Sequence, residues 1–128
     1  MNIPADLKYT KNDEWIRVTG DEGEVGITDY AQDHLSDIVY VELPETGRQV
    51  QAGDPLGTIE SVKAAADVYA PVGGTIIAVN EALPDSPDSV NKEPYGNGWM
   101  VRLRLSDPKA LDMLMDAAAY QRYCDERG

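Results

Sequence analysis

The chain has one cysteine and one histidine in 128 residues, and that scarcity excludes much of the usual site chemistry. Cys124 has no second thiol in the chain to pair with, which points to a reducing compartment, and its position near the C-terminus does not suggest a built nucleophile. His34 alone completes no structural zinc set, and neither an HExxH nor a CxxC spacing occurs. A catalytic dyad or triad would have to recruit His34, yet no serine stands in a nucleophile-elbow pattern. The glycine pairs Gly73-Gly74 and Gly96-Asn97-Gly98 match no phosphate-cradling motif and read as tight turns. We therefore expect no catalytic residue, no metal site and no enzyme in its own right.

Basic charge is scarce as well. Against 23 acidic residues stand 11 basic ones, a formal charge of −12, which repels phosphate backbones and anionic lipid surfaces. Nucleic acid and membrane are poor partners; basic patches on other proteins are better ones. Apolar runs such as Ile76-Ile77-Ala78-Val79 are far too short to span a bilayer. The start Met1-Asn2-Ile3-Pro4-Ala5-Asp6 lacks the basic and apolar regions of a signal peptide and is too acidic and short for a transit segment. No low-complexity tract or linker divides the chain, so residues 1–128 are expected to form one domain.

What is present is a series of short strand signals separated by turns. Trp15–Val18 and Glu24–Ile27 flank Gly20-Asp21-Glu22-Gly23 and read as a hairpin. Ile38–Leu43 is a further strand stopped by Pro44. Trp99, Val101, Leu103 and Leu105 alternate with Met100, Arg102 and Arg104, which predicts a buried and a wet face, with the two arginines merely keeping the strand soluble. A short helix is expected from Thr28 through His34, and Ser86-Pro87-Asp88 is placed to open a single turn. Asp107-Pro108 caps a C-terminal helix whose Leu111, Leu114, Met115 and Ala118 form a stripe; Asp116 either continues it or starts another through Tyr120 and Tyr123. Trp15, Tyr30 and Trp99 read as packing residues. The pattern as a whole describes a small, mainly antiparallel sheet protein with appended helices and, with no long uncovered apolar edge, a monomer.

Gly53-Asp54-Pro55 and Pro71-Val72-Gly73-Gly74 bracket a hairpin around residues 56–70, with Lys63 near its tip between Val62 and Ala64. Alternation over Leu56–Val62 is imperfect, as a bulge would make it. A lysine among small residues on a hairpin tip is a rigid base for a long acyl arm such as lipoamide or biotin. An exposed turn lysine by itself is ordinarily a solvated residue.

Four segments change the odds: Val25-Gly26-Ile27-Thr28-Asp29-Tyr30-Ala31-Gln32, Asp37-Ile38-Val39-Tyr40-Val41-Glu42-Leu43-Pro44, Glu60-Ser61-Val62-Lys63-Ala64 and Pro94-Tyr95-Gly96-Asn97-Gly98-Trp99. In this order they resemble the H proteins of the glycine cleavage system, across nearly the whole chain. The resemblance implies a barrel-sandwich hybrid like lipoyl and biotinyl domains, mainly β, and lipoate bound as N6-lipoyllysine at Lys63. It implies a carrier without turnover that takes an aminomethyl group from a pyridoxal-phosphate glycine decarboxylase to a tetrahydrofolate-dependent aminomethyltransferase, and its dithiol to dihydrolipoamide dehydrogenase. A lipoylating enzyme is a fourth partner. The expected setting is the bacterial cytoplasm, or the mitochondrial matrix for a mature eukaryotic chain.

An aminomethyl cargo is labile in water and cationic near neutral pH, so a carboxylate that holds it and a recess that shields it would prolong its life. Glu14 and Asp67, with His34 as a polar neighbour, are the candidates for contacts to the arm or its cargo. Glu60 and Asp67 are candidates for recognition by the lipoylating enzyme. Two other readings keep the fold: an H-like lipoyl donor or relay for other proteins, and a biotin carrier. Biotin carriers usually flank the lysine with methionines, where this chain has Val62 and Ala64.

Overall fold

The computed structural model describes residues 1–127. Among the described residues, nine strands form two antiparallel sheets, with three α-helices and two 3₁₀ helices at the periphery. The strands are β1 (Lys8–Tyr9), β2 (Glu14–Thr19), β3 (Glu22–Ile27), β4 (Ile38–Glu42), β5 (Gln49–Val50), β6 (Pro55–Ser61), β7 (Ala65–Tyr69), β8 (Gly74–Val79) and β9 (Val101–Leu105). The larger sheet runs β1-β2-β3-β9-β8-β5 and the smaller β4-β6-β7. This is the expected barrel-sandwich arrangement, with the sheets left unclosed.

The two sheets meet in one apolar core. Ile38, Val41, Leu56, Ile59 and Val68 of the small sheet pack with Ile16, Val25, Ile27, Ile76, Val101 and Leu103 of the large one. Burial of this area supplies the main driving force for folding. A second cluster of Leu7, Tyr9, Trp15, Tyr30, Tyr120 and Cys124 lies under the C-terminal helix. Strand β2 is buried on both faces at its start, because Ile16 enters the first cluster and Trp15 the second. Glu14, on the same face as Ile16, is carried inside with it.

Helix α1 (Asp29–Leu35) starts where the sequence places it: Thr28 accepts from the Ala31 N–H through its hydroxyl. A 3₁₀ turn at Leu83–Asp85 precedes α2 (Ser89–Lys92), one turn of helix that begins just after Ser86-Pro87-Asp88. The bulge expected in the lysine hairpin is present as a register shift between Pro55 and Gly57, and a second shift falls between Ile38 and Tyr40 on β4.

Three expectations need correction. The Asp107-Pro108 signal opens a 3₁₀ helix over Pro108–Met113 rather than an α-helix, and it stops at extended Leu114 so that Met115 can bridge Tyr9. Asp116 then accepts from the Ala119 N–H at the start of a separate α3 (Ala117–Arg127), leaving Ala118 exposed. Met100 is fully buried and Trp99 only half-buried, the reverse of the predicted faces. The β9 ladder begins only at Val101, and just before it Met100 turns inward toward Gly57. Arg102 does more than confer solubility: its Nε and Nη2 both donate to Glu24, and its guanidinium lies 4.2 Å from the Trp99 ring centroid.

Candidate functional site

Strands β6 and β7 form the predicted hairpin, and the residues between them hold Lys63 at its tip. The turn is organised by Ser61. Its hydroxyl accepts from the Lys63 N–H at 3.1 Å and the Ala64 N–H at 3.0 Å and donates to the Ala64 carbonyl at 3.1 Å, while Ser61 N–H donates to the same carbonyl. One short side chain thus satisfies the tip in place of sheet partners. The sequence reading passed over Ser61, although serine at the head of a tight turn is a signal of this kind.

The tip is also docked from outside the hairpin. The Val62 N–H donates to the Asp37 carbonyl at 3.0 Å, and Lys63 Nζ donates to the His34 carbonyl, also at 3.0 Å. Carbonyls in the last turn of a helix lack intrahelical donors and carry partial negative charge, so an ammonium is well placed at the end of α1. No ion pair among the described residues involves Lys63. The amine is exposed and held by one backbone oxygen.

Asn91 fixes the segment that receives the tip. Its amide donates to the Ser36 carbonyl and the Gln32 side chain, both at 2.9 Å, and its oxygen accepts from the Ile38 N–H at 2.9 Å. Ser36 itself leaves α1 at φ 69°, a left-handed conformation that such a tie makes tolerable. Nothing in the linear pattern joins Asn91 to Lys63; only the packing of α2 on α1 does. Arg127 adds a tie from α3, bridging Asp13 while its guanidinium covers the Tyr30 ring at 4.3 Å.

The other candidates are dispersed around this tip. The His34 ring stacks on Tyr30, centroids 4.1 Å apart, and its Nδ1 donates to the Tyr30 carbonyl, so the contact with Lys63 is made by its backbone. Asp67 is exposed on β7 and accepts from the Thr58 hydroxyl at 3.3 Å. Glu60 is exposed at the end of β6.

Glu14 is only 1% exposed. Its Oε1 accepts from the Thr10 hydroxyl at 2.6 Å and its Oε2 from the Tyr69 N–H at 3.2 Å, two residues beyond Asp67. Burial raises its pKa above the ordinary glutamate value, and the two hydrogen bonds oppose that rise without cancelling it. It lines a recess of about 270 Å³ together with Gly53, Ala70, Pro71 and Met115, among others. A buried carboxyl with spare lone pairs in a recess can bind a cation or hold a proton. Thr10 and Tyr69, which the sequence reading missed, supply its two hydrogen-bond donors.

The chain is similar to glycine cleavage H proteins in both sequence and architecture. The family model described as "Glycine cleavage H-protein" matches residues 7–127. A glycine cleavage system H protein of Symbiobacterium thermophilum is 52% identical over 125 residues, covering 98% of both chains. One from Chromohalobacter salexigens is 55% identical over 120 residues, covering 93% of this chain and 92% of its own. The crystal structure of a glycine cleavage system H protein from Mycobacterium marinum superposes with a TM-score of 0.84 at 36% identity, over 98% of this chain and 99% of the other. With the matches spanning both sheets, the lysine hairpin and α3, this chain belongs to the glycine cleavage H-protein family.

Proposed function

We propose that this protein is the lipoyl carrier of a glycine cleavage system, with lipoate joined in amide linkage to Lys63. The observation that carries the reading is an exposed lysine on a braced hairpin tip, its amine held by the His34 carbonyl alone. That residue fits the group. Acylation removes the charge, no carboxylate partner among the described residues is thereby stranded, and the resulting amide keeps one N–H for the same carbonyl. When bound, lipoate would supply a disulfide able to take up the aminomethyl group at the glycine decarboxylase, give it to the aminomethyltransferase, and be restored from the dithiol by dihydrolipoamide dehydrogenase.

The chain's own part is to carry and shield. Ser61, Asp37 and the end of α1 restrict the base of the arm, so its reach is set by the acyl chain and not by a flexible loop. Asp67 adds negative charge along β7, and Glu14 a desolvated carboxyl beyond it. In this reading both attract a cationic cargo, and the Tyr30–His34 stack lies beside the arm's base. In this reading the carrier turns over only at its partners' active sites, as its family membership supports. Among the described residues no helix is long and apolar enough to cross a membrane, and bacterial relatives make the bacterial cytoplasm the proposed setting.

Intact-mass and peptide mass spectrometry of protein isolated from lipoate-replete cells tests the reading. We expect a lipoyl adduct confined to Lys63; an unmodified or biotinylated lysine refutes it.

A further inference from the structure

Three of the six exposed large hydrophobic residues among the described residues gather beside Lys63: Val39 at 54% exposure, Tyr40 at 47% and Val62 at 69%. The cause is local. Strict alternation would bury one of two successive residues on β4, but the register shift between Ile38 and Tyr40 turns both Val39 and Tyr40 outward. Tyr40 stands opposite Glu60, Ile38 opposite Ser61, and Val62 is hydrogen-bonded to Asp37. The three apolar side chains therefore share the lysine end of the β4–β6 ladder.

Their surroundings are of one sign. Across the small sheet and its turns, residues 36–43 and 56–69, the charged side chains are Asp37, Glu42, Glu60 and Asp67 against Lys63 alone, with Asp37 and Glu60 nearest the lysine end. An apolar ledge inside an acidic rim fits an apolar recess ringed by lysine or arginine.

We propose that this ledge is the docking surface for the enzyme that acylates Lys63, a partner with such a basic-rimmed apolar recess. The inference rests on the carrier reading above. The acylating enzyme is singled out by reach: it must bring its active site to the bare amine, no further from the hairpin backbone than the lysine side chain is long. Val62 and the adjoining Val39 and Tyr40 then fall inside its footprint. Enzymes that receive the finished arm work at a greater distance from the backbone and are free to dock elsewhere. In the reaction, the Lys63 ammonium loses one proton to solvent, the free amine attacks the carbonyl carbon of an activated lipoyl mixed anhydride to form the C–N bond, and the nitrogen loses a second proton to solvent as the amide forms. The acyl C–O bond breaks, and the phosphate-bearing leaving group departs with its electron pair. Docking must also draw Nζ away from the His34 carbonyl.

The test uses the purified full-length apo protein, lipoate, ATP and a lipoate-attaching enzyme, with acylation followed by mass. The double variant Val39→Thr/Tyr40→Ser is compared with Tyr40→Phe, which keeps the apolar area, and with Val18→Thr, an exposed apolar residue elsewhere. We expect kcat/KM to fall roughly tenfold or more in the double variant, chiefly through KM, with an unchanged melting temperature and wild-type rates for the two controls. Wild-type acylation should slow as salt rises. Once fully lipoylated by long incubation, the double variant should be reduced by NADH and dihydrolipoamide dehydrogenase at the wild-type rate. Acylation of the double variant at the wild-type rate overturns the docking proposal alone, as does an equal loss with the dehydrogenase. Failure of the wild type to be acylated at Lys63 overturns the carrier reading together with it.

Discussion

Lys63 and His34 lie 29 residues apart and are joined by a single hydrogen bond, from the lysine Nζ to the histidine carbonyl at 3.0 Å. The bond makes the end of α1 a rest for the hairpin tip. It also separates two questions about the lysine: how it is held, and what it carries.

Lys63→Arg answers the second. Arginine keeps the positive charge for the His34 carbonyl, so folding and melting temperature should match the wild type. The guanidinium does not form the lipoyl amide, so the mass adduct and glycine-dependent carbon dioxide exchange should both be lost. Exchange retained at the wild-type rate in a reconstituted system would exclude a single arm at this position.

Ser61→Ala probes how the tip is held. The substitution removes three hydrogen bonds from an exposed turn, where water replaces most of them, so global stability should fall by no more than about 1 kcal/mol. Amide hydrogen exchange at Lys63 and Ala64 should accelerate nonetheless, because their N–H groups lose their partners. Unchanged protection at these two amides would assign the order of the tip to the Asp37 and His34 contacts instead.

Glu14 gives a pH dependence of defined sign. Its raised folded-state pKa means that the native protein binds the proton more tightly than the unfolded chain does. Between the ordinary glutamate pKa and the raised one, the native state therefore holds more protons, and stability falls as pH rises through that window. Glu14→Gln should remove this slope while leaving the Tyr69 N–H an acceptor. Denaturant titrations at stepped pH would show it; equal slopes in wild type and variant would mean that Glu14 titrates alike in both states.

Asn91→Ala tests the brace behind the tip. The Ile38 N–H loses its acceptor, and the Ser36 and Gln32 oxygens lose a donor. An unsatisfied group in this position costs on the order of 1–3 kcal/mol, so the denaturation midpoint should drop measurably. Exchange at Val62 should quicken as well, since the Asp37 carbonyl it uses lies next to Ile38. A shift in midpoint without any change at Val62 would confine Asn91 to a general structural role.

The linear sequence determined a good deal. Turn residues and short apolar runs marked the strands, Thr28 marked α1, and the glycines and prolines around residues 53–55 and 71–74 marked the ends of the lysine hairpin, because these signals act within a few residues of one another. The order of four motifs pointed to the H-protein family and to Lys63. Alternation failed at Trp99 and Met100 and on β4, where the local ladder, not the side-chain pattern, decides which way a residue faces. Only the tertiary structure decided the state of Glu14, whose charge in sequence looks like that of any surface acid; β2 is covered on both sides at that point, and desolvation follows from what covers it. The same holds for the contacts of Lys63 with His34, of Val62 with Asp37 and of Asn91 with Ile38, which join segments tens of residues apart. Local chemistry sets what a residue is able to do, and burial and distant backbone partners set what it does.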